Sequence, residues 1–303
     1  MVQKALMNPA PFVSVIMNCY NGEKYLKQAI DSVLTQSYQN WELIFWDNQS
    51  TDRSAEIFNG YADARLKYFY APKHTRLYEA RNYAIEKCGG EFLAFLDVDD
   101  WWFPSKLVKQ VVLFSDPQVG IVCSNYWFHS ERKKKRWLAL KRSVPTGWVL
   151  DELLKSYFVG LVTLVLRRSA MASLEYLCDP RYHLVGDADL VIRLSIGWKL
   201  EYVGEPLALY RLHDNNETAK DGGLTDELKI WFADMARIES IRSSPNFSTI
   251  KNYFTYVEAM RRILKSDRSN ALRLARSLPW GTPKLKLGAA LLLPTSMARR
   301  LKN

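Results

Sequence analysis

The sequence predicts an α/β fold: a mostly parallel central sheet flanked by helices, with a helical appendage at its C-terminal end. Three observations predict it. Up to Trp102, short apolar runs alternate with segments of helical period, which is the βαβ pattern of a parallel sheet. Three of those runs stop at polar or acidic residues, Asn18 to Asn21, Asp47 to Asn48 and Asp97 to Asp100, and such sheets place ligands at the carboxyl ends of their strands. Beyond Glu217 three helical segments follow, the second and third rich in Arg and Lys. A chain of 303 residues holds one large α/β domain with an appendage. The expected division is 1–217 and 218–303.

Phe12 to Met17 is β-branched and apolar, as a central strand requires, and Tyr25, Leu26, Ala29, Ile30, Val33 and Leu34 then share one helical face. Trp41 to Trp46 is the second strand, and a helix is expected near Arg53 to Tyr61. Arg65 to Tyr70 is a third strand. Leu77, Ala80, Arg81, Ala84, Ile85 and Cys88 recur at helical spacing, and Gly89-Gly90 is expected to cap that helix. Glu91 to Leu96 then leads into Asp97-Val98-Asp99-Asp100-Trp101-Trp102.

Carboxylates this close raise one another's pKa, so a divalent cation or a set of hydroxyls is needed to share the charge. Oxygen donors favour Mg²⁺ or Mn²⁺ over zinc. The alternative is an acidic turn in which Asp99 or Asp100 caps the next helix, with Pro104 in its first turn.

Composition narrows the partners. Apolar residues at 48% and charged ones at 24% exclude disorder as the default, and the net charge of +10 calls for an anionic partner: nucleotide diphosphates, anionic lipid or nucleic acid. Cys19, Cys88, Cys123 and Cys178 show no metal or disulfide spacing, so reduced thiols in a cytoplasmic protein are expected. Met1 to Ala10 contains no signal-like run, and Leu287 to Leu293 is too short to span a bilayer. A soluble or peripheral protein is therefore expected, on the inner face of the cell membrane if peripheral.

The motifs, taken together, resemble the family 2 glycosyltransferases of GT-A fold. They are S-V-I-x-x-x-Y-N-G at Ser14 to Gly22, S-V-L-x-Q-S-Y at Ser32 to Tyr38, D-N-Q-S-T-D at Asp47 to Asp52, A-R-N at Ala80 to Asn82 and F-L-D-x-D-D at Phe95 to Asp100. The resemblance covers about residues 12–217. It implies an inverting, metal-dependent transfer of sugar from a nucleotide diphosphate donor to a saccharide or lipid-linked acceptor. It also implies a nucleotide-sugar-binding half at 11–103 and an acceptor half at 104–217.

Carried onto this sequence, Tyr20 and Asn21 belong to the nucleotide pocket, Asp47 and Asn48 to base recognition, and Arg81 to the diphosphate or donor sugar. Asp97 and Asp99 meet the ribose, and Asp99 and Asp100 the Mg²⁺ or Mn²⁺. Asn48 stands where many relatives carry Asp, which leaves the base open between UDP- and dTDP-type donors.

Past Trp102, Leu107 to Phe114 reads as a helix and Val119 to Tyr126 as a strand, followed by the run Arg132-Lys133-Lys134-Lys135-Arg136. That run is a solvated hairpin tip or a contact to an anionic membrane or phosphate-bearing acceptor. Val159 to Leu166 is expected to be a buried strand. Leu184 to Leu190 resembles the family's E-D-x-D-L element, which makes Asp187 the general base and gives Asp189 an acceptor-orienting or capping role; Gly186 replaces the usual Glu. Tyr210-Arg211-Leu212-His213 matches the closing Y-R-x-H element, so His213 is a metal or diphosphate ligand. Trp101 is assigned to the acceptor side. His74, His129 and His183 are expected to be structural.

Leu224 to Ser243, Thr249 to Ser266 and Asn270 to Ser277 read as helices. The tail Lys284 to Pro294, with Arg299-Arg300-Leu301-Lys302, suits packing or an anionic leaflet. Two other functions compete. A sugar nucleotidyltransferase lacks support because Asn18 to Gly22 is not a glycine-rich phosphate loop. A non-catalytic basic protein binding nucleotide or membrane is the other, and nucleic acid is disfavoured for want of a recognition motif.

Overall fold

The computed structural model describes residues 10–213, 216 and 224–298, so the expectations placed on residues 1–9, Glu217 and Arg299 to Lys302 lie outside the described residues. The strands β1 (Val13–Cys19) and β2 (Trp41–Asp47) are buried at every position, as apolar runs covered on both faces must be. Between them, α1 (Glu23–Leu34) buries Leu26, Ala29, Ile30 and Val33. Then come α2 (Ser54–Asn59), β3 (Leu66–Tyr70), α3 (Leu77–Glu86) and β4 (Phe92–Phe95). β1 pairs in parallel with β2 and β4, and β2 with β3. The register sets Cys19 beside Asp47 and Ile16 beside Phe95. All three polar strand ends therefore reach one edge of the sheet.

The second half adds β5 (Trp101–Trp102), α4 (Lys106–Val111), β6 (Val119–Ser130), β7 (Lys135–Leu138), α5 (Leu150–Lys155), β8 (Val165–Arg167), α6 (Arg168–Ala172), α7 (Gly186–Leu194) and β9 (Lys199–Leu212). Sheet order is β3-β2-β1-β4-β8-β6-β9-β5, with β7 on β6. β8 lies antiparallel between β4 and β6, while β6 and β9 run parallel. β5 pairs antiparallel with β9 through Trp101 and Leu209. That pairing brings the chain after the acidic cluster against the Tyr210 to His213 segment.

Several expectations are corrected. Asp99 and Asp100 cap no helix: β5 intervenes, and α4 begins only after Ser105. α3 ends at Glu86 with Lys87 as its cap, so Gly89-Gly90 is not the helix terminator. Gly90 serves close approach instead, because a Cβ there would lie 2.5 Å from the Ser14 nitrogen. Val159 to Leu166 is not one strand. Leu161–Thr163 forms a 3₁₀ turn in which the Thr163 N–H donates to the Gly160 carbonyl at 2.9 Å. Gly160 packs flat on Tyr126, whose ring a Cβ would meet at 2.6 Å.

The chain divides into two compact units, one within Met1–Val149 and Phe158–Lys220 and one within Leu150–Tyr157 and Asp221–Asn303. The second holds α5, α8 (Leu224–Met235), α9 (Glu239–Arg242), α10 (Phe247–Leu264), α11 (Arg268–Ser277), α12 (Thr282–Leu292) and α13 (Thr295–Ala298). The helix expected over Leu224 to Ser243 is thus two helices. Ala259, Met260, Ile263, Ala271, Ala275, Leu278, Leu287, Ala290 and Ala298 form the apolar core of this unit.

Candidate active site

The loop after β1 is tied to the loop after β2. Asn21, in the left-handed region at φ 54°, accepts from the Thr51 N–H at 2.8 Å, and its own N–H donates to Ser50 Oγ at 3.0 Å. Tyr20 is left 53% exposed, with its ring 4.4 Å from that of His74. Asp47 is fully buried: Oδ1 accepts from the Ser50 N–H and Oδ2 from the Tyr68 hydroxyl, each at 2.7 Å. The Asn48 amide pairs with the Thr75 backbone, donating to its carbonyl at 2.8 Å and accepting from its N–H at 3.1 Å. Asp47 and Asn48 therefore brace the loops that follow β2 and β3, with the rings of Tyr20, Tyr70 and His74 exposed nearby. His74 Nδ1 lies 2.8 Å from the Asn48 carbonyl, which ties its loop to the end of β2.

On α3, Arg81 is buried, with Nη2 3.0 Å from Asp97 Oδ1. Its Nη1, and both polar atoms of the buried Asn18 side chain at the end of β1, have no hydrogen-bond partner among the described residues. Buried polar atoms left without a protein partner are met by water or by a polar ligand.

The carboxylate loop is held from β9. Asp100 is buried, and Oδ1 accepts from the Arg211 N–H at 2.8 Å. Asp99 Oδ2 lies 3.0 Å from His213 Nε2 and 3.3 Å from Asn216 Nδ2. Burial first, then the charges of Asp99 and Asp97, push the Asp100 carboxyl well above the usual range. Burial likewise raises Asp97, against the pull of Arg81. This is an excess of negative charge that a cation relieves. Among the described residues no three His, Cys, Asp or Glu side chains are arranged to hold an ion unaided. The donor set nevertheless fits Mg²⁺ or Mn²⁺, which take one or two carboxylates and complete their shell with phosphate and water oxygens.

Arg211 is the joint of this region. Nε donates to the Asp99 carbonyl at 2.8 Å, Nη1 to Glu131 Oε1 at 3.0 Å and Nη2 to Gln28 Oε1 at 2.5 Å. Its guanidinium stacks on Tyr25 and Trp101, at 4.2 and 4.6 Å from the ring centroids. Tyr25 donates to the other Glu131 oxygen at 2.6 Å. Glu131 directly follows β6 and begins the basic hairpin turn, so the hairpin root is fixed to the loop carrying Asp99. Sequence spacing alone had no means of linking positions 131 and 211. Truncating Glu131 to Ala is expected to lower kcat about tenfold, the low end for loss of an outer support of site residues, because it releases the Arg211 guanidinium that holds the Asp99 carbonyl. Steady-state kinetics alongside an unchanged melting temperature check this, and Glu131→Gln is expected to recover part of the loss.

Asp187 sits in the first turn of α7, half-buried. Burial pushes its carboxyl up to about 6, with the Ala188 N–H and Arg81 opposing. The Tyr78 hydroxyl accepts from the Asp187 N–H at 2.9 Å and lies 3.5 Å from Oδ1. Gly186 now has a physical reason: a Cβ would meet the Tyr78 ring at 2.6 Å. Tyr78 occupies the space of the missing Glu side chain and caps the helix from α3. Restoring that Glu by Gly186→Glu is expected to overpack the site, costing about 1–3 kcal/mol and lowering the melting temperature. Asp189 is fully buried and pairs with Arg193 at 2.6 Å, one turn along α7. It holds the helix in place.

Trp101 is half-buried beside the hairpin, with the Arg136 guanidinium 5.8 Å and the His129 ring 6.0 Å from it.

The family model for glycosyl transferase family 2 matches residues 14–171. This chain belongs to that family. A candidate teichuronic acid biosynthesis glycosyltransferase of Bacillus subtilis, TuaG, is 30% identical over 214 residues, 70% of this chain and 83% of the relative. A UDP-Glc:alpha-D-GlcNAc-diphosphoundecaprenol beta-1,3-glucosyltransferase of Escherichia coli, WfgD, is 33% identical over 159 residues, 52% of this chain and 61% of that enzyme. Among solved structures, Staphylococcus aureus TarS 1-349 in complex with UDP-GlcNAc superposes with a TM-score of 0.66 at 15% identity, covering 96% of this chain and 90% of that one. A mannosyltransferase from Pyrobaculum calidifontis in complex with GDP-Man and Mn²⁺ gives 0.64 at 18%, covering 97% and 86%. These likenesses establish the GT-A fold expected for a family 2 glycosyltransferase.

Proposed function

We propose that this family 2 glycosyltransferase moves a sugar from a UDP- or dTDP-type nucleotide diphosphate donor to a hydroxyl of a saccharide or lipid-linked acceptor, with inversion, in bacterial surface polysaccharide or lipid-linked glycan synthesis. One observation carries the reading. The crowded carboxylates at the end of β4 stand at the same sheet edge as Arg81 and a separate carboxyl, Asp187, pushed up to about 6, the range in which a general base works near neutral pH. The donors and the diphosphoundecaprenol acceptor named for the relatives support the substrate classes.

In this reading residues 11–103 hold the donor and 104–217 the acceptor. Tyr20, with His74, stacks on the base; Asn21, Asp47 and Asn48 hold the loops that form its pocket. Asp97 meets the ribose, and Arg81, with an unpaired Nη1, donates to diphosphate oxygens. Asp99, Asp100 and His213 are the residues that would hold Mg²⁺ or Mn²⁺. When bound, that ion supplies charge neutralisation on the departing diphosphate.

Asp187 accepts the proton of the acceptor hydroxyl as that oxygen bonds to the anomeric carbon. The bond from the same carbon to the β-phosphate oxygen breaks on the opposite face, and its electron pair leaves with the diphosphate. One displacement inverts the centre and needs no covalent nucleophile. Asp189 keeps Asp187 in place through α7, and Trp101 offers an apolar face to the acceptor. Arg132, Lys133, Lys134 and Lys135 are exposed and make no ion pair among the described residues. They suit the phosphates of a lipid-linked acceptor. Such an acceptor places the enzyme on the inner face of the cell membrane, and among the described residues no helix is long and apolar enough to cross it.

A thermal-shift panel of nucleotide diphosphates and their sugars, each with Mn²⁺, Mg²⁺ or chelator, tests the donor side. One uridine or thymidine compound is expected to raise the melting temperature in a metal-dependent way, because a ligand of the folded state stabilises by mass action. No shift with any nucleotide overturns the reading.

A further inference from the structure

We propose that α12 and the turn before it form a membrane-contact surface that seats on an anionic lipid bilayer. On α12, Leu287 and Ala290 are buried in the helical core, with Leu291 packed against it. Leu285, Gly288, Ala289 and Leu292 recur at three- and four-residue spacing on the opposite side. There Leu285 is 63% and Leu292 86% exposed, and Trp280, just before the helix, is 83% exposed. A soluble surface seldom leaves side chains of this size so open on one face. Trp beside basic residues is the composition of a water–lipid boundary.

The charge commits the surface to one occupant. Residues 221–303 carry 15 Lys and Arg against 7 Asp and Glu, net +8 of the chain's +10, and no acidic residue follows Asp267. Arg273, Arg276 and Lys286 are exposed and make no ion pair among the described residues. Lys284 donates to the Leu278 carbonyl at 2.7 Å with its ammonium 5.1 Å from the Trp280 ring, which fixes the turn carrying that indole. A second copy of this surface repels the first through the same cations, whereas anionic headgroups attract them and acyl chains accept Leu285, Leu292 and Trp280.

The proposal rests on the lipid-linked acceptor only for its purpose, since vesicle binding is read without donor or acceptor. Co-sedimentation with 3:1 phosphatidylcholine:phosphatidylglycerol vesicles is compared for wild type, Leu285→Glu/Leu292→Glu and Arg273→Gln/Arg276→Gln/Lys286→Gln. Wild type is expected to bind, at least tenfold more weakly on pure phosphatidylcholine or in 0.5 M salt. Each variant is expected to lose at least tenfold while keeping wild-type melting temperature and nucleotide shift. Wild type that ignores anionic vesicles, variants that bind as well as wild type, or a wild-type dimer that the Glu variant dissociates without any vesicle binding overturns the proposal. A vanished nucleotide shift with vesicle binding intact points to failure of the donor reading instead.

Discussion

Asp187→Asn is expected to lower kcat about 10³-fold, within the range a positioned general base contributes and equivalent to about 4 kcal/mol of barrier. The substitution keeps the backbone N–H that donates to Tyr78, so α7 and the nucleotide-induced thermal shift are expected to survive. The pH dependence carries the sharper signature. Burial holds the folded-state carboxyl up at about 6, and the charged groups acting on it are Arg81 from α3 and Asp97 from the carboxylate loop, with Tyr78 packed beside it. Transfer needs the carboxylate, so activity is full above that pH and falls tenfold per unit as pH drops below it. Wild-type kcat against pH is expected to show this limb, and the residual activity of Asp187→Asn to lack it.

The second large effect concerns Asp99→Ala, which removes a carboxylate in direct contact with His213. Loss of metal-assisted charge neutralisation is worth several kcal/mol, so kcat/KM is expected to fall about 10³-fold. Chelator is expected to reproduce that fall in wild type and add little in Asp99→Ala, because two perturbations of one unit do not add. Isothermal titration of the nucleotide with and without Mn²⁺ checks the binding part. Equal metal stimulation in both proteins contradicts the assignment.

Much of the fold was legible because parallel strands covered on both faces advertise themselves. Phe12 to Met17 and Trp41 to Trp46 are apolar but for Ser14 and Glu42, which bond to each other in the interior, and their polar ends lie at the edge where such sheets take ligands. What escaped was long-range. That Asp47 and Asn48 spend their side chains on Ser50, Tyr68 and Thr75 depends on contacts the sequence does not record. The same holds for Arg211, which joins Asp99 to Glu131 across the sheet. Gly186 read as a lost carboxylate, yet it is half of a pair with Tyr78, and only their juxtaposition shows it. Lys106 was invisible for another reason. It lies fully buried with its ammonium 4.0 Å from the Trp102 ring centroid, where helical periodicity gives no warning of a charged residue facing inward. The Val159 to Leu166 run looked like one strand because apolar composition does not distinguish a buried strand from a buried turn.

The most direct test of the account is transfer itself. Purified protein, Mn²⁺ or Mg²⁺, a panel of UDP- and dTDP-sugars and a diphosphate-linked lipid acceptor are combined, and the product is read by proton NMR at its anomeric centre. The account predicts turnover with one donor, lost with chelator, and a product whose anomeric configuration is opposite to the donor's. Retained configuration, or turnover indifferent to chelator, contradicts it.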